Sequence, residues 1–193
     1  ASIGLHPIHI ASNLIKIRVD EDEGGFETNG EELNIEEYEN LAKSKKVVAI
    51  GEIGLDYYYK PKTTNKKLLF KEKQKEIFVR QLELADKLNL PIILHCRNAH
   101  KDLIEILKKE KKRLNIKGVV HCFTGNIEEL KEYLDLGLHI GFNGIIFKLD
   151  LKEVIKETPI DKILIETDAP YLTPPQEGKE KRNEPFVKKI FSQ

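Results

Sequence analysis

Six times along the chain, a short apolar run stops at a polar residue able to hold a proton or a metal ion. The six segments are SIGLHP (2–7), VVAIGEIGLD (47–56), PIILHCRNAH (91–100), GVVHCFTG (118–125), LHIGFNG (138–144) and ILIETDAP (163–170). Apolar runs without strict alternation suit strands buried on both faces, as in a parallel sheet. Between them the period lengthens to that of a helix. Residues 70–89 bring Phe70, Ile77, Phe78, Leu82, Ala85 and Leu88 near one face, and residues 101–114 do the same with Leu103, Ile104, Ile106, Leu107 and Leu114. Residues 126–137 open on a capping Asn126 and close on Gly137, and residues 149–158 are a shorter helical candidate. Strand, loop and helix in repetition predict an α/β fold with parallel strands.

Two closures satisfy that pattern, an open doubly wound sheet or a (β/α)8 TIM barrel. No glycine-rich phosphate fingerprint follows any of the runs, which weighs against a nucleotide-binding open sheet. Polar residues recur at the C-terminal ends of several strands, which favours the barrel, a fold of about 250 residues. Six strands in 193 residues leave two to be found. The acidic, glycine-rich stretch 18–34 reads as a surface insertion or irregular loop, and 174–185 as a second long loop.

Composition narrows the function classes. The chain is 40% hydrophobic and 33% charged, as expected of a globular domain, and no apolar stretch approaches a membrane span. Its 32 basic and 32 acidic residues argue against nucleic-acid binding by bulk field alone, while leaving room for a local basic groove. Cys96 and Cys122 each follow a histidine in an apolar stretch, and reduced thiols are expected rather than a bridge. No secretory segment is evident, so a cytoplasmic monomer is expected, without membrane or protein partners. Lys71, Lys73 and Lys75 and the run 108–113 are expected to be solvated helix faces.

Among the polar strand ends, Glu52, His95, His121 and Asp168 have metal-binding chemistry. A barrel brings successive strand ends to one face, so two imidazoles and two carboxylates are expected around one cavity. That mixed donor set suits zinc, manganese or iron, and its carboxylates also suit magnesium. Glu52 can bridge two ions about 3.5–4 Å apart. Asp168, placed on a water, can orient it and take its proton, which describes metal-assisted hydrolysis. The donor set does not choose among amide, ester and phosphodiester substrates.

The motifs GLHP (4–7), GEIGLDYYY (51–59), LHCRNAH (94–100), HCFTG (121–125), ETDAPYLTP (166–174) and KRNEP (181–185) resemble, in order, those of the TatD family of metal-dependent deoxyribonucleases. The resemblance implies an amidohydrolase-type (β/α)8 barrel. It also implies hydrolysis of DNA phosphodiester bonds, often 3′→5′ from an end, with magnesium or another divalent ion, manganese and zinc being alternatives. By motif match Glu52 is the bridging carboxylate, His95 and His121 are imidazole ligands, and Asp168 is both ligand and water-activating base. His6, Arg97, Tyr57, Phe123 and Arg182 are candidate substrate contacts. The arginines would hold phosphate oxygens, with structural ion pairs as the alternative. Tyr57, Tyr58, Tyr59 and Phe123 would stack on unpaired bases, with barrel-mouth packing as the alternative.

The family's first strand carries an HxH pair that the chain does not contain, and His6 and His9 do not match its spacing. The chain is therefore expected to be one hydrolase barrel domain, incomplete at both ends, without the first two strands and the terminal helix. Two alternatives remain open. One is a related barrel hydrolase acting on a small ester, amide or phosphoester. The other is a non-catalytic binding barrel, should the HxH segment be truly absent.

Overall fold

A computed structural model describes residues 1–10, 30–59, 61–175 and 183–184. Most of the acidic stretch, the second long loop and Arg182 lie outside the described residues. Two compact units are present, residues 1–118 and 119–193.

In the first unit, β1 (Ser2–Ile3), β2 (Ala49–Asp56) and β3 (Ile92–Arg97) pair in parallel, β1 with β2 and β2 with β3. Each pair is separated by a helical segment: α1 (Ile35–Ala42) and α2 (Thr64–Lys87), with α3 (His100–Glu110) following β3. The second unit continues the plan with β4 (Gly118–Val120), α4 (Ile127–Asp135), β5 (His139–Phe142), α5 (Lys152–Glu157) and β6 (Ile163–Ile165). There β4 pairs with β5 and β5 with β6, again in parallel. The predicted α/β class and all six predicted strands are present. Among the described residues no helix is long and apolar enough to cross a membrane.

Helix boundaries follow local chemistry. In α4, Asn126 and Glu129 form a reciprocal capping box, and Gly137 takes a left-handed φ of +80° one residue past the C-cap, where a side chain would be strained. The second helix begins six residues before the predicted Phe70, because Leu68 and Leu69 in its first turns are exposed and mark no buried face. Helix α1 was not predicted. It is two turns long, with no fully buried residue, so it carries only a weak apolar stripe. Its N-cap is Asn34, and its Ile35 and Tyr38 pack on a cluster of Leu5, Ile10, Leu33 and Ile77. Leu33, expected in a surface loop, is thus part of the core.

Two glutamines of α2, seven residues apart and both buried, hold the segments that carry the chemistry. Gln81 accepts the Leu5 N–H at 2.7 Å and donates to the Leu5 carbonyl at 3.1 Å. Gln74 accepts the Asp56 N–H at 2.8 Å and donates to the carbonyls of Asp56 at 3.0 Å and Pro7 at 3.3 Å. Buried backbone groups must be paired, and beyond the short β1 strand these amides do the pairing. His6, between Leu5 and Pro7, is clamped from both sides. The lysines at 108, 109, 111 and 112 are exposed as expected, whereas Lys71, Lys73 and Lys75 are half-buried, Lys73 pairing with Glu76 at 3.3 Å and Lys75 with Asp102 of α3 at 2.9 Å.

Candidate metal centre

In the first unit Glu52 is the only residue of β2 that is not buried. The register between β2 and β3 slips there: Ile50 faces Ile92 and Ile53 faces Leu94, so β2 carries one extra residue. Such a bulge re-aims a side chain within a strand. Glu52 is therefore delivered from mid-strand by a bulge, not from a strand end as the sequence pattern suggested. On β3, His95 alternates with the buried Leu94 and Cys96 and reaches the same place.

The Glu52 carboxylate lies 3.8 Å from His6 Nε2 and 3.8 Å from His95 Nδ1. The two imidazoles cross edge-to-face with centroids 4.3 Å apart. Donor atoms of His6, Glu52 and His95 all lie within 4.8 Å of one another, the spacing of a metal-binding group. Behind His95, its Nε2 meets Asp56 Oδ2 at 3.0 Å. Asp56 accepts that ring N–H, so Nδ1 is the ring nitrogen directed at Glu52. A carboxylate that fixes the tautomer of a ligand histidine is a recurrent support in metal sites. His6 is arranged differently: its Nδ1 accepts the Ile8 N–H at 3.2 Å, so the neutral ring carries its proton on Nε2 and offers a donor.

The two rings titrate in opposite directions. Burial, and next the positive field of His95, lower the pKa of His6 to about 3. Burial also works against a charged His95, but hydrogen bonds to Asp56 and Glu52 outweigh it and raise its pKa above 6.5. Burial disfavours the charged Asp56, yet the bond to His95 prevails and lowers its pKa. In the metal-free protein, ring-proton NMR shifts are expected to show His95 charged above pH 6.5 while His6 stays neutral down to about pH 3. The stability signs follow. The His95 contribution is full below pH 6.5 and is lost as pH rises through its folded pKa. The His6 contribution is full above pH 6.5 and is lost as pH falls toward about 3. Coincident titration of the two rings would refute this arrangement.

The second unit repeats the device. His121 directly follows β4, and its Nδ1 donates to Glu166 Oε2. The other oxygen of Glu166 accepts the Cys122 N–H at 2.6 Å and the Asn143 amide at 3.4 Å. The Nε2 lone pair of His121 then faces Asp168 Oδ1 at 3.4 Å. Asp168 lies three residues beyond β6, not on it, with φ +58°, a left-handed conformation that Asp tolerates. The ladder ends with the Glu166 N–H on the Phe142 carbonyl at 3.0 Å, short of Ala169 and Pro170. Strand alternation consequently does not relate Glu166 to Asp168. The Asp168 loop is held by buried Asn183, whose amide donates to the carbonyls of Thr167 at 2.6 Å and Tyr171 at 2.5 Å.

Gly141 leaves room for this arrangement: a Cβ there would stand 2.9 Å from Glu166 Oε1 and 3.2 Å from the Val120 carbonyl. Gly141→Ala is expected to displace Glu166, lower stability by about 1–3 kcal/mol and weaken metal binding about 10–100-fold. Thermal unfolding and calorimetric metal titration check both effects.

Of the predicted substrate contacts, two are buried. Phe123 is fully buried and meets the Tyr133 ring at 90°. Tyr57 is 4% exposed, its hydroxyl donates to Asp102 at 2.8 Å, and Lys71 lies over its ring. Burial, then the Asp102 bond, raise the Tyr57 pKa. Both rings pack rather than present a face to substrate, the alternative given above for them. Asp56 and Asn183 were not assigned roles from sequence, although each lies in a quoted motif. Cys96 and Cys122 are not bridged to each other, and the Cys122 thiol lies 3.5 Å from Asn143 Oδ1.

The family model for TatD-related DNases matches residues 1–193. The chain belongs to the TatD family. This TatD-family chain is 45% identical over 158 residues to YabD of Bacillus subtilis, named an uncharacterized metal-dependent hydrolase, covering 79% of the chain and 58% of that protein. It is 40% identical over 161 residues to the 3′-5′ ssDNA/RNA exonuclease TatD of Pantoea ananatis, covering 79% of the chain and 59% of that protein. The chain thus spans under two thirds of the length of these relatives. Among solved structures it matches YJJV, a TatD homologue from Escherichia coli, with a TM-score of 0.73 and 29% identity over 100% of the chain and 66% of that protein. A TatD-family hydrolase from Entamoeba histolytica gives a TM-score of 0.64 and 35% identity over 89% of the chain and 50% of that protein. TatD homologues of known structure are (β/α)8 barrels, the fold class that the strand–helix pattern predicts.

Proposed function

We propose that the chain forms part of a single divalent-metal-dependent hydrolase domain that cuts phosphodiester bonds at single-stranded DNA ends, proceeding 3′ to 5′. One observation carries this reading. His95 and His121 are each held from behind by one carboxylate, Asp56 or Glu166, and each turns its other ring nitrogen toward a second, Glu52 or Asp168. Nitrogen and oxygen donors in that order fit a divalent ion. Glu52, His95, His121 and Asp168 would hold the metal, two magnesium ions being the expected complement.

When bound, such ions polarise a phosphoryl oxygen and make water a better nucleophile at neutral pH. The chain's own residues do the rest. Asp168 orients the attacking water and accepts its proton at Oδ. Asp56 and Glu166 fix the imidazole tautomers. His6, neutral and protonated on Nε2, donates to a phosphate oxygen, and the Arg97 guanidinium supplies a charged donor. Names of relatives that include an ssDNA/RNA exonuclease support a nucleic-acid substrate.

The test is a 5′-labelled single strand incubated with magnesium, with manganese and with chelator. Stepwise shortening from the 3′ end that chelator stops is expected. No cutting of DNA alongside turnover of a small ester would replace this reading with the smaller-substrate one.

A further inference from the structure

Asp56 uses both carboxylate oxygens. Oδ2 holds His95, and Oδ1 accepts the Tyr58 N–H at 2.8 Å. The second bond fixes the chain just past β2, where the Tyr58 ring stands 48% exposed. The Arg97 guanidinium lies over that ring, 3.7 Å from its centroid. Arg97 follows His95 by two positions on β3, so it projects to the same face, and its carbonyl accepts the Tyr57 N–H at 2.8 Å. Tyr59 meets Tyr58 edge-on at 5.0 Å. One corner of the first unit thus carries an exposed aromatic plane, a cation stacked on it and a ligand-type imidazole.

The neighbouring ring shows what a purely structural tyrosine looks like here. Tyr57 is buried and its hydroxyl is bonded to Asp102. Tyr58 is half open to solvent. A guanidinium stacked by its flat face keeps its N–H edge for anions. A planar cationic surface beside phosphate chemistry matches a nucleotide, which has a planar base and an anionic phosphate.

We propose that Tyr58 and Arg97 form a stacking subsite for one unpaired base of a single-stranded nucleic acid, with the Arg97 edge on the adjoining phosphate. This rests on the nuclease reading and gives its preference for single strands a place on the chain. A base paired at a duplex end must first leave its partner to lie on Tyr58, so single strands bind better than blunt duplexes.

The test measures binding of the full chain to fluorescent oligonucleotides in chelator, where nothing is cut. Tyr58→Ala should weaken single-strand binding about 5–100-fold, Tyr58→Phe should restore it, and Arg97→Ala should also reduce its salt dependence. Replacing one base at a time by an abasic site should reveal one position where the loss disappears in Tyr58→Ala. Circular dichroism confirms that each variant is folded. Unchanged binding by Tyr58→Ala, equal loss for single strands and blunt duplexes, or no binding by the unaltered chain overturns the subsite. The nuclease reading fails separately, when the unaltered chain shortens no DNA with metal present.

Discussion

Asp168→Asn is expected to lower the proposed phosphodiester turnover by about 10²–10⁴-fold, the range for loss of a general base, while the chain stays folded. Asn tolerates the left-handed φ of +58° as Asp does, so the backbone has no reason to move. The Asp168 carbonyl still accepts the Tyr171 N–H at 2.8 Å, and Asn183 still clamps Thr167 and Tyr171. The carboxamide has nearly the shape of the carboxylate but neither its charge nor its basicity. Single-turnover shortening of labelled DNA at saturating metal gives the rate, and thermal unfolding verifies the fold. Activity within tenfold of the parent would place the base elsewhere. Glu52→Gln, run beside it, should instead raise the metal concentration needed, because Glu52 faces both His6 and His95 at 3.8 Å.

The second large effect is expected from a residue outside the predicted ligand set. Asp56 is 1% exposed and bonds both His95 and the Tyr58 N–H. Asp56→Ala removes the buried acceptor of both the His95 ring and the Tyr58 N–H, and breaking the buried His95 pair costs about 3–5 kcal/mol of stability. The milder Asp56→Asn keeps the volume but removes the charge that outweighs burial at His95. The His95 pKa should then fall, and metal affinity should drop about 10–100-fold, as when a supporting carboxylate is lost. Glu166→Gln should act alike through His121. Calorimetric titration with manganese reads the affinity without requiring turnover. Unchanged affinity in both variants would mean that the imidazoles are held in place without their carboxylates.

Much of this protein is local and therefore legible along the chain. Six apolar runs became six parallel strands because short apolar runs suit a parallel sheet, although β2 is buried nearly throughout while β3 alternates and β6 is largely exposed. The boundaries of α4 were legible because Asn126 and Gly137 act within a few residues. Helix α1 was missed because it is short and only half buried, which leaves a weak periodic mark. The ordered motifs were enough to suggest the family and the residue types for metal chemistry. They did not separate Tyr57 and Phe123 from Tyr58, because an aromatic residue looks the same in sequence whether its face is buried or open.

Orientation was decided only by the tertiary structure. Glu52 depends on a bulge, which exists only when β2 pairs with β3. Which ring nitrogen of His121 turns toward Asp168 depends on Glu166, 45 residues away, and the setting of His6 depends on Gln81 holding Leu5, 76 residues away. The sequence by itself determined which residues bring charge, lone pairs and aromatic faces, since those are properties of single side chains. The fold decided which lone pair points where, since a hydrogen-bond direction exists only once both partners are in place.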